Sequence, residues 1–384
     1  MNEKNKRKKI LITANTDRHI LLCHMPYIKW FEDNNCDVSV ATNTDMQINR
    51  CQKINLDMTR KPFSIKNINA IKKLTENLKK NDYDLIHTHT PVGSVITRLA
   101  CKFAKTKAKV IYTCHGFHFY KGCPLYYWMI FYPIEKYLMK YTDFLLVMNS
   151  EDYNFAKKHF KNVNVKYING AGFNKERLQT STTKSELDEL NKEYGLQEGD
   201  FIVSYIAEYS KRKRQIQLIK ELAKTDIRNQ NIKVLLIGDD ILKGKVQEEI
   251  KKKKLDKCIK TIKFTKQINK FLDASDIVIS ASRQEGLPLN ILEAIYKKKI
   301  VIATNCRGNR DLITEGKNGF IVNSVDEIYD KIKYVKDNYK NIQEQYNQSI
   351  DIEDYSSDRV VKKVAKLYKE VLEDNEVFGN NECL

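Results

Sequence analysis

The sequence predicts an α/β protein of two doubly wound, Rossmann-like domains. Short β-branched apolar runs such as Lys9–Thr13, Phe201–Ile206 and Ile300–Thr304 alternate with helix-period segments along the whole chain. That alternation implies parallel sheets covered by helices on both faces. The 384 residues are enough for two cores of ordinary size. A glycine-containing segment, Asn169-Gly-Ala-Gly172, and a polar stretch over 179–184 read as the hinge between them. The domains are accordingly placed at 1–170 and 201–356, with a hinge region at 171–200 and a last segment at 357–384.

The first strand, Lys9–Thr13, is followed by a helix over 19–31. The loop between them has no glycine, and the first glycine of the chain is Gly93, so the G-x-G-x-x-G fingerprint of NAD and FAD enzymes is missing. Strands over Asp37–Thr42, 84–89 and 110–116 follow, with helices over 71–79 and 95–103 between them. Doubly wound sheets gather ligands at the carboxyl ends of their strands. Two of these ends carry histidine: His87 and His89, then His115 and His118. All seven histidines precede residue 170, but their spacing is not that of a metal site, so no metal is expected. A helix over 151–160 and a strand over 165–168 complete the first half.

The run from Leu125 to Ile134 is too short to span a bilayer but is crowded with aromatics, and Lys136 and Lys140 lie beside it. It reads either as an internal helix packed on the sheet or as a membrane-interface segment. In the second half, strand Phe201–Ile206 runs into the cationic loop Ala207-Glu-Tyr-Ser-Lys-Arg-Lys-Arg214. Strands over 234–239, 276–280 and Ile300–Thr304 alternate with helices over 242–253 and 289–297. A loop over 307–313 leads into a short helix. Helices over 326–339 and 357–371 close the chain, and 373–384 is an acidic, polar and frayed tail.

Hydrophobic content of 42% with 30% charge describes a soluble globular chain rather than a disordered one. No apolar run is long enough for a transmembrane span, and the charged start has no apolar core of a secretory signal. Nine scattered cysteines without a C-x-x-C pair point to neither zinc nor a disulfide framework, which suits a reducing cytosol. The net charge of +18 is uneven: residues 1–170 hold 28 Lys and Arg against 14 Asp and Glu, and the remainder 39 against 35. The basic first half suits a polyanion or an anionic membrane face, where each nearby cation contributes about 1 kcal/mol. The alternative is a lysine-rich, solvated surface.

Chemistry concentrates in Ser280-Ala-Ser-Arg-Gln-Glu-Gly-Leu-Pro-Leu-Asn-Ile-Leu-Glu-Ala294. It runs from a buried strand through a tight turn into a helix start. The turn places a carboxylate and a glycine where helix N–H groups point outward, a setting suited to a diphosphate. Glu293 follows Glu285 by eight residues. This string resembles the Glu-x7-Glu signature of the retaining, nucleotide-sugar-dependent glycosyltransferases of the GT-B fold, family 4. The segment Thr113-Cys-His-Gly-Phe-His-Phe-Tyr-Lys-Gly122 is similar to the Thr-x-His segment of the same family. More narrowly, His87-Thr-His-Thr-Pro-Val-Gly93 and the string from Tyr132 to Tyr137 resemble a bacterial capsule and exopolysaccharide branch. The resemblance extends over essentially the whole chain.

The resemblance implies two domains facing across a cleft, with the nucleotide-sugar bound by the second domain, the acceptor by the first, and the last helix returning to the first domain. It assigns catalysis to His115 and Glu285, both toward the donor sugar. Donor binding is assigned to Lys213, Gly286, Leu287, Leu289, Asn290 and Glu293, the last holding the ribose hydroxyls. Lys213 matches one of two diphosphate-clasping cations, but Glu208 stands in the place of the other, so the second cation comes from Arg212, Arg214 or Arg283. The stretch 264–273 stands in place of a longer, glycine-containing loop that cradles the nucleobase, and Asn309 stands where this branch more often has His. The resemblance further implies a UDP-sugar donor, an undecaprenyl-diphosphate-linked saccharide acceptor, no metal or other cofactor, and no nucleic acid. The enzyme is expected in the cytoplasm, peripherally attached to the inner, anionic face of the plasma membrane. A sugar-nucleotide epimerase of the same fold and a non-catalytic polyanion-binding protein are the alternatives.

Overall fold

The computed structural model describes residues 7–44, 48, 51–346 and 352–377, with side chains to residue 373. The tail read as frayed therefore lies largely outside the described residues, as do the first six residues of the charged start. The chain forms two compact units, one running to Gly172 and resuming at Ser357, the other Phe173–Ser356.

The first unit is built on seven parallel strands: β1 (Lys9–Thr13), β2 (Asp37–Thr42), β3 (Gln52–Asn55), β4 (Leu85–His89), β5 (Lys109–Cys114), β6 (Phe144–Val147) and β7 (Asn164–Tyr167). Their spatial order is β3-β2-β1-β4-β5-β6-β7. The chain winds one way from β1 to β3 and the other way from β4 to β7. The carboxyl ends of β1 and β4 therefore form a topological switch point, where the loops part and leave a crevice. Strands β3 and β6 escape a periodicity reading because they have four residues each, and β3 is an edge strand that buries only Ile54.

The helix expected over 19–31 is instead two helices, Asp17–Cys23 and Met25–Asp33. Pro26 lies in the first turn of the second. Its ring has no N–H to donate and would clash with the carbonyl four residues back, so a continuous helix breaks before it. Helix Pro91–Ala104 starts so close to the β1 loop that a Cβ on Gly93 would lie 2.7 Å from Thr90 Oγ1 and 3.2 Å from the Asn15 amide nitrogen. Glycine is required there by close approach. Helix Ser357–Val377 belongs to this unit, where the Tyr368 ring packs with its centroid 4.4 Å from that of Phe31 and its hydroxyl pairs with His87 Nδ1 at 2.6 Å.

The aromatic run forms helix Leu125–Leu138. Trp128 and Tyr132 pack on Phe119, and buried Glu135 accepts from Arg98 Nη2 at 2.9 Å. Leu125, Tyr126, Met129 and Ile130 remain exposed on the other side. Among the described residues, no helix is long and apolar enough to cross a membrane.

The second unit has six parallel strands: β8 (Phe201–Ile206), β9 (Ile232–Ile237), β10 (Ile259–Ile262), β11 (Ile277–Ser280), β12 (Ile300–Thr304) and β13 (Gly319–Val322). They are ordered β10-β9-β8-β11-β12-β13, which puts the switch point between β8 and β11. Val203, Val234, Ile277 and Ile302 share one core with Leu218, Val246 and Ile328. The stretch 264–273, standing in place of a longer loop, is helical from residue 268, forming helix Ile268–Ala274, because Ile268, Phe271 and Leu272 share a buried face.

Candidate functional site

The loops leaving β8 and β11 are neighbours at the switch point, and side chains tie them together. Arg214, at left-handed φ 58°, donates from Nε to the Ala281 carbonyl at 2.6 Å and from Nη2 to the Ser282 carbonyl at 2.9 Å. Tyr205 donates to the Lys213 carbonyl at 2.6 Å. These bonds set the position of the cationic loop before any ligand arrives. Lys213 Nζ then reaches Glu285 Oε1 at 2.6 Å, and Arg212 Nη1 reaches Glu285 Oε2 at 2.8 Å.

Glu285 is buried with both cations against it. Burial raises its carboxyl, but Lys213 and Arg212 together outweigh that and hold it below the usual carboxylate range. It is therefore an ionised acceptor at neutral pH. Arg212 also donates to the Gln284 carbonyl at 3.0 Å and approaches Glu208 Oε1 at 3.3 Å. Of the three arginines proposed from sequence, Arg212 joins Lys213 at the carboxylate. Arg214 donates to backbone carbonyls of the β11 loop, and Arg283 is exposed.

From the other side, Arg307 Nε donates to the Glu285 carbonyl at 3.1 Å. Gly308 lies so close that a Cβ there would be 2.6 Å from the Gly286 carbonyl oxygen, and its φ of 79° is in the left-handed region. The Glu285–Gly286 turn is thus clamped between the β8 loop and the β12 loop. Helix Leu289–Tyr296 follows from Pro288 with no side-chain cap on its N-terminus. Its first N–H groups are available to an anion, and the helix dipole favours negative charge there. Leu287 is buried, while Leu289 and Asn290 are partly exposed on the first turn; Asn290 Nδ2 is buried without a hydrogen-bond partner among the described residues.

Glu293 lies one turn further along this helix. Burial pushes its carboxyl up to about 7, against the pull of Arg177, whose Nη1 is 3.9 Å away. Asn309, buried beneath the clamp, donates from Nδ2 to the Thr304 carbonyl at 2.9 Å, which makes it a support of the β12 loop.

His115 lies in the first unit, just beyond β5, among a group of histidines. His19 and His24 follow β1, His87 and His89 end β4, and the ring centroids of His19 and His115 are 4.8 Å apart. Burial lowers the pKa of all five, so each is a neutral imidazole at neutral pH. Sequence spacing does not bring His19 and His24 to His115, because their closeness depends on β1, β4 and β5 being neighbours in space. The signal that could have found them is position, since all follow or end strands at one switch point. The clamp residues Arg307 and Gly308, and Arg177 beside Glu293, escape sequence reading for the same reason.

Residues 9–149 match the family model described as "Glycosyl transferase 4-like", and residues 187–351 match "Glycosyl transferases group 1". The chain is 35% identical over 318 residues to EpsD of Bacillus subtilis, a protein with a glycosyltransferase name, covering 82% of this chain and 83% of that one. It is 26% identical over 284 residues to the UDP-Gal:alpha-D-GlcNAc-diphosphoundecaprenol alpha-1,3-galactosyltransferase of Escherichia coli, covering 71% of each chain. Among solved structures, Anabaena HepE in complex with UDP and glucose superimposes with a TM-score of 0.75 at 18% identity, over 95% of this chain and 100% of that chain. A glycosyltransferase from Rickettsia africae gives 0.73 at 22% identity, over 96% and 99%.

Proposed function

The chain belongs to the GT-B glycosyltransferases of family 4, in the bacterial capsule and exopolysaccharide branch, and from that premise we propose that it is a retaining transferase moving a sugar from a UDP-sugar to an undecaprenyl-diphosphate-linked saccharide. The observation that carries the donor half is the meeting of Lys213, Arg212 and Glu285 at the β8/β11 switch point, beside the uncapped start of helix Leu289–Tyr296. A diphosphate leaving group gains negative charge as the sugar–oxygen bond breaks. Preorganised cations and helix N–H groups act most strongly on that developing charge.

Lys213 and Arg212 are the two cations of this reading, and Arg212 fills the role left open where Glu208 stands. With two cations and a helix N-terminus on the diphosphate, the transfer step is given no divalent ion. Gly286 lets the backbone approach the donor, Leu287, Leu289 and Asn290 line it, and Glu293 accepts from the ribose hydroxyls. Glu285 and His115 act on the donor sugar. The UDP choice is supported by HepE, solved with UDP and with UDP-glucose, and the lipid-linked acceptor by the Escherichia coli relative, which acts on a diphosphoundecaprenol-linked sugar.

The exposed face Leu125, Tyr126, Met129 and Ile130, with Lys121, Lys136 and Lys140 exposed nearby, fits the anionic membrane surface where such an acceptor resides. The test is a screen of nucleotide sugars for UDP release, with and without a lipid-linked saccharide. Acceptor-dependent release from one UDP-sugar supports the proposal. Acceptor-dependent release only from a guanosine- or adenosine-linked sugar would overturn the choice of base, and release indifferent to lipid-linked acceptors would overturn the acceptor.

A further inference from the structure

We propose that His19, His24 and His115 form a binding site for a divalent transition-metal ion of the zinc class, at the switch point of the first sheet. One nitrogen from each imidazole lies within 4.8 Å of the others. His19 Nε2 and His115 Nε2 are 3.4 Å apart. Two imidazole nitrogens on one tetrahedral zinc, each at about 2.0–2.1 Å, are separated by about 3.3 Å. The first pair is therefore already at ligand spacing, and His24 needs only a side-chain adjustment of about 1–1.5 Å to join it.

A second observation is independent of that spacing. His24 is buried, and neither of its ring nitrogens has a hydrogen-bond partner among the described residues. A neutral imidazole has one donor and one acceptor, and leaving both unpaired in a protein interior is unfavourable. A metal ion would take up the lone pair. His24 stacks on His89 at 3.7 Å, and His89 Nδ1 is likewise unpartnered among the described residues.

The chemistry of the set selects the ion. Three neutral imidazoles, with no carboxylate or thiolate among them, suit zinc, copper(II) or nickel(II) rather than magnesium or calcium. His19 and His115 are partly exposed, so an ion there would keep a fourth position open to solvent. Arg60, whose charge acts on His19, opposes the ion and makes the site weaker than a closed structural one. The three histidines belong to the first unit, and Lys213 and Arg212 to the second. Because His115 is shared, an ion held here withdraws its imidazole from the transfer step; that consequence rests on the transferase reading, whereas metal binding does not.

The full chain, stripped with chelator, is titrated with cobalt(II) and read by visible absorption and metal stoichiometry. The expected result is one ion per chain in a nitrogen-ligated, four- or five-coordinate spectrum, displaced by zinc. Affinity should fall at least about tenfold in His24→Ala and in the partly exposed His19→Gln, each checked for folding by circular dichroism. Absence of binding, thiolate bands from the cysteines, or equal binding in a folded His19→Gln variant would overturn the site. Binding that leaves transfer unimpaired would keep the site and overturn the role of His115 in transfer.

Discussion

Lys213 Nζ lies 2.6 Å from Glu285 Oε1, and both side chains are buried. A buried carboxylate that loses one of its cations pays part of its desolvation uncompensated. Lys213→Met should therefore destabilise the chain by about 1–3 kcal/mol, Arg212 still holding the other oxygen. Lys213→Met with Glu285→Gln should cost less than the two changes summed, by about 0.5–3 kcal/mol. Denaturant titration of the four proteins reads the coupling, and additive changes would show that the pair contributes nothing to folding. Affinity for UDP-glucose should fall in Lys213→Met, because the diphosphate loses a cation.

Glu293 supplies a pH dependence with a definite sign. Its carboxyl titrates near 7 in the folded chain and near 4.5 when unperturbed. Below the lower value both states hold the proton. Between the two only the folded state does, so stability falls as pH rises, by up to about 3 kcal/mol, and levels off above 7. Glu293→Gln should raise the melting temperature at about pH 8 and leave it unchanged near pH 4. Ribose hydroxyls donate to the ionised form, so UDP-glucose affinity should rise with pH up to about 7 and then level, with proton release on binding. Calorimetry with UDP-glucose, whose phosphates do not titrate near neutrality, reads both, and a pH-independent affinity in the unmodified protein would remove Glu293 from the ribose.

His115 and Glu285 should matter for turnover more than for nucleotide affinity. The sugar becomes oxocarbenium-like as the diphosphate departs, so groups oriented around it act mainly on the transition state. His115→Ala and Glu285→Gln should each keep UDP binding within a few-fold while transfer falls about 10²–10³-fold, or about 2.7–4 kcal/mol. Near-normal transfer in either variant would show that the residue does not act on the sugar.

Membrane attachment should need both charge and the exposed apolar face. Flotation with phosphatidylglycerol vesicles at low salt should recover the protein, and recovery should fade as salt approaches about 0.5 M, where the Debye length is about 4–5 Å. Met129→Glu, on a side chain 69% exposed, should lower recovery without changing the fold. Equal recovery on neutral vesicles would assign attachment to the exposed apolar face alone.

The sequence by itself determined the alternation of strands and helices, and with it the parallel sheets. Burial on both faces makes a strand such as Ile300–Thr304 an uninterrupted apolar run, legible wherever it occurs. Local geometry was also legible in the turn from Glu285 to the helix at Leu289, because strand, glycine, proline and helix start lie within one short stretch. Short strands with little burial, such as Gln52–Asn55, carry no such signal, whereas the break before Pro26 is announced by the proline itself. What only the tertiary structure decided was which distant side chains meet. Arg212 rather than Arg214 or Arg283 faces Glu285 because Arg214 is anchored to the β11 loop. Gly308 meets Gly286 because β11 and β12 are neighbours. His19 and His24 reach His115 because the sheet order sets β1, β4 and β5 side by side. Spacing along a chain encodes contacts within a turn or a helix, whereas the order of strands in a sheet is settled by the packing of the whole unit.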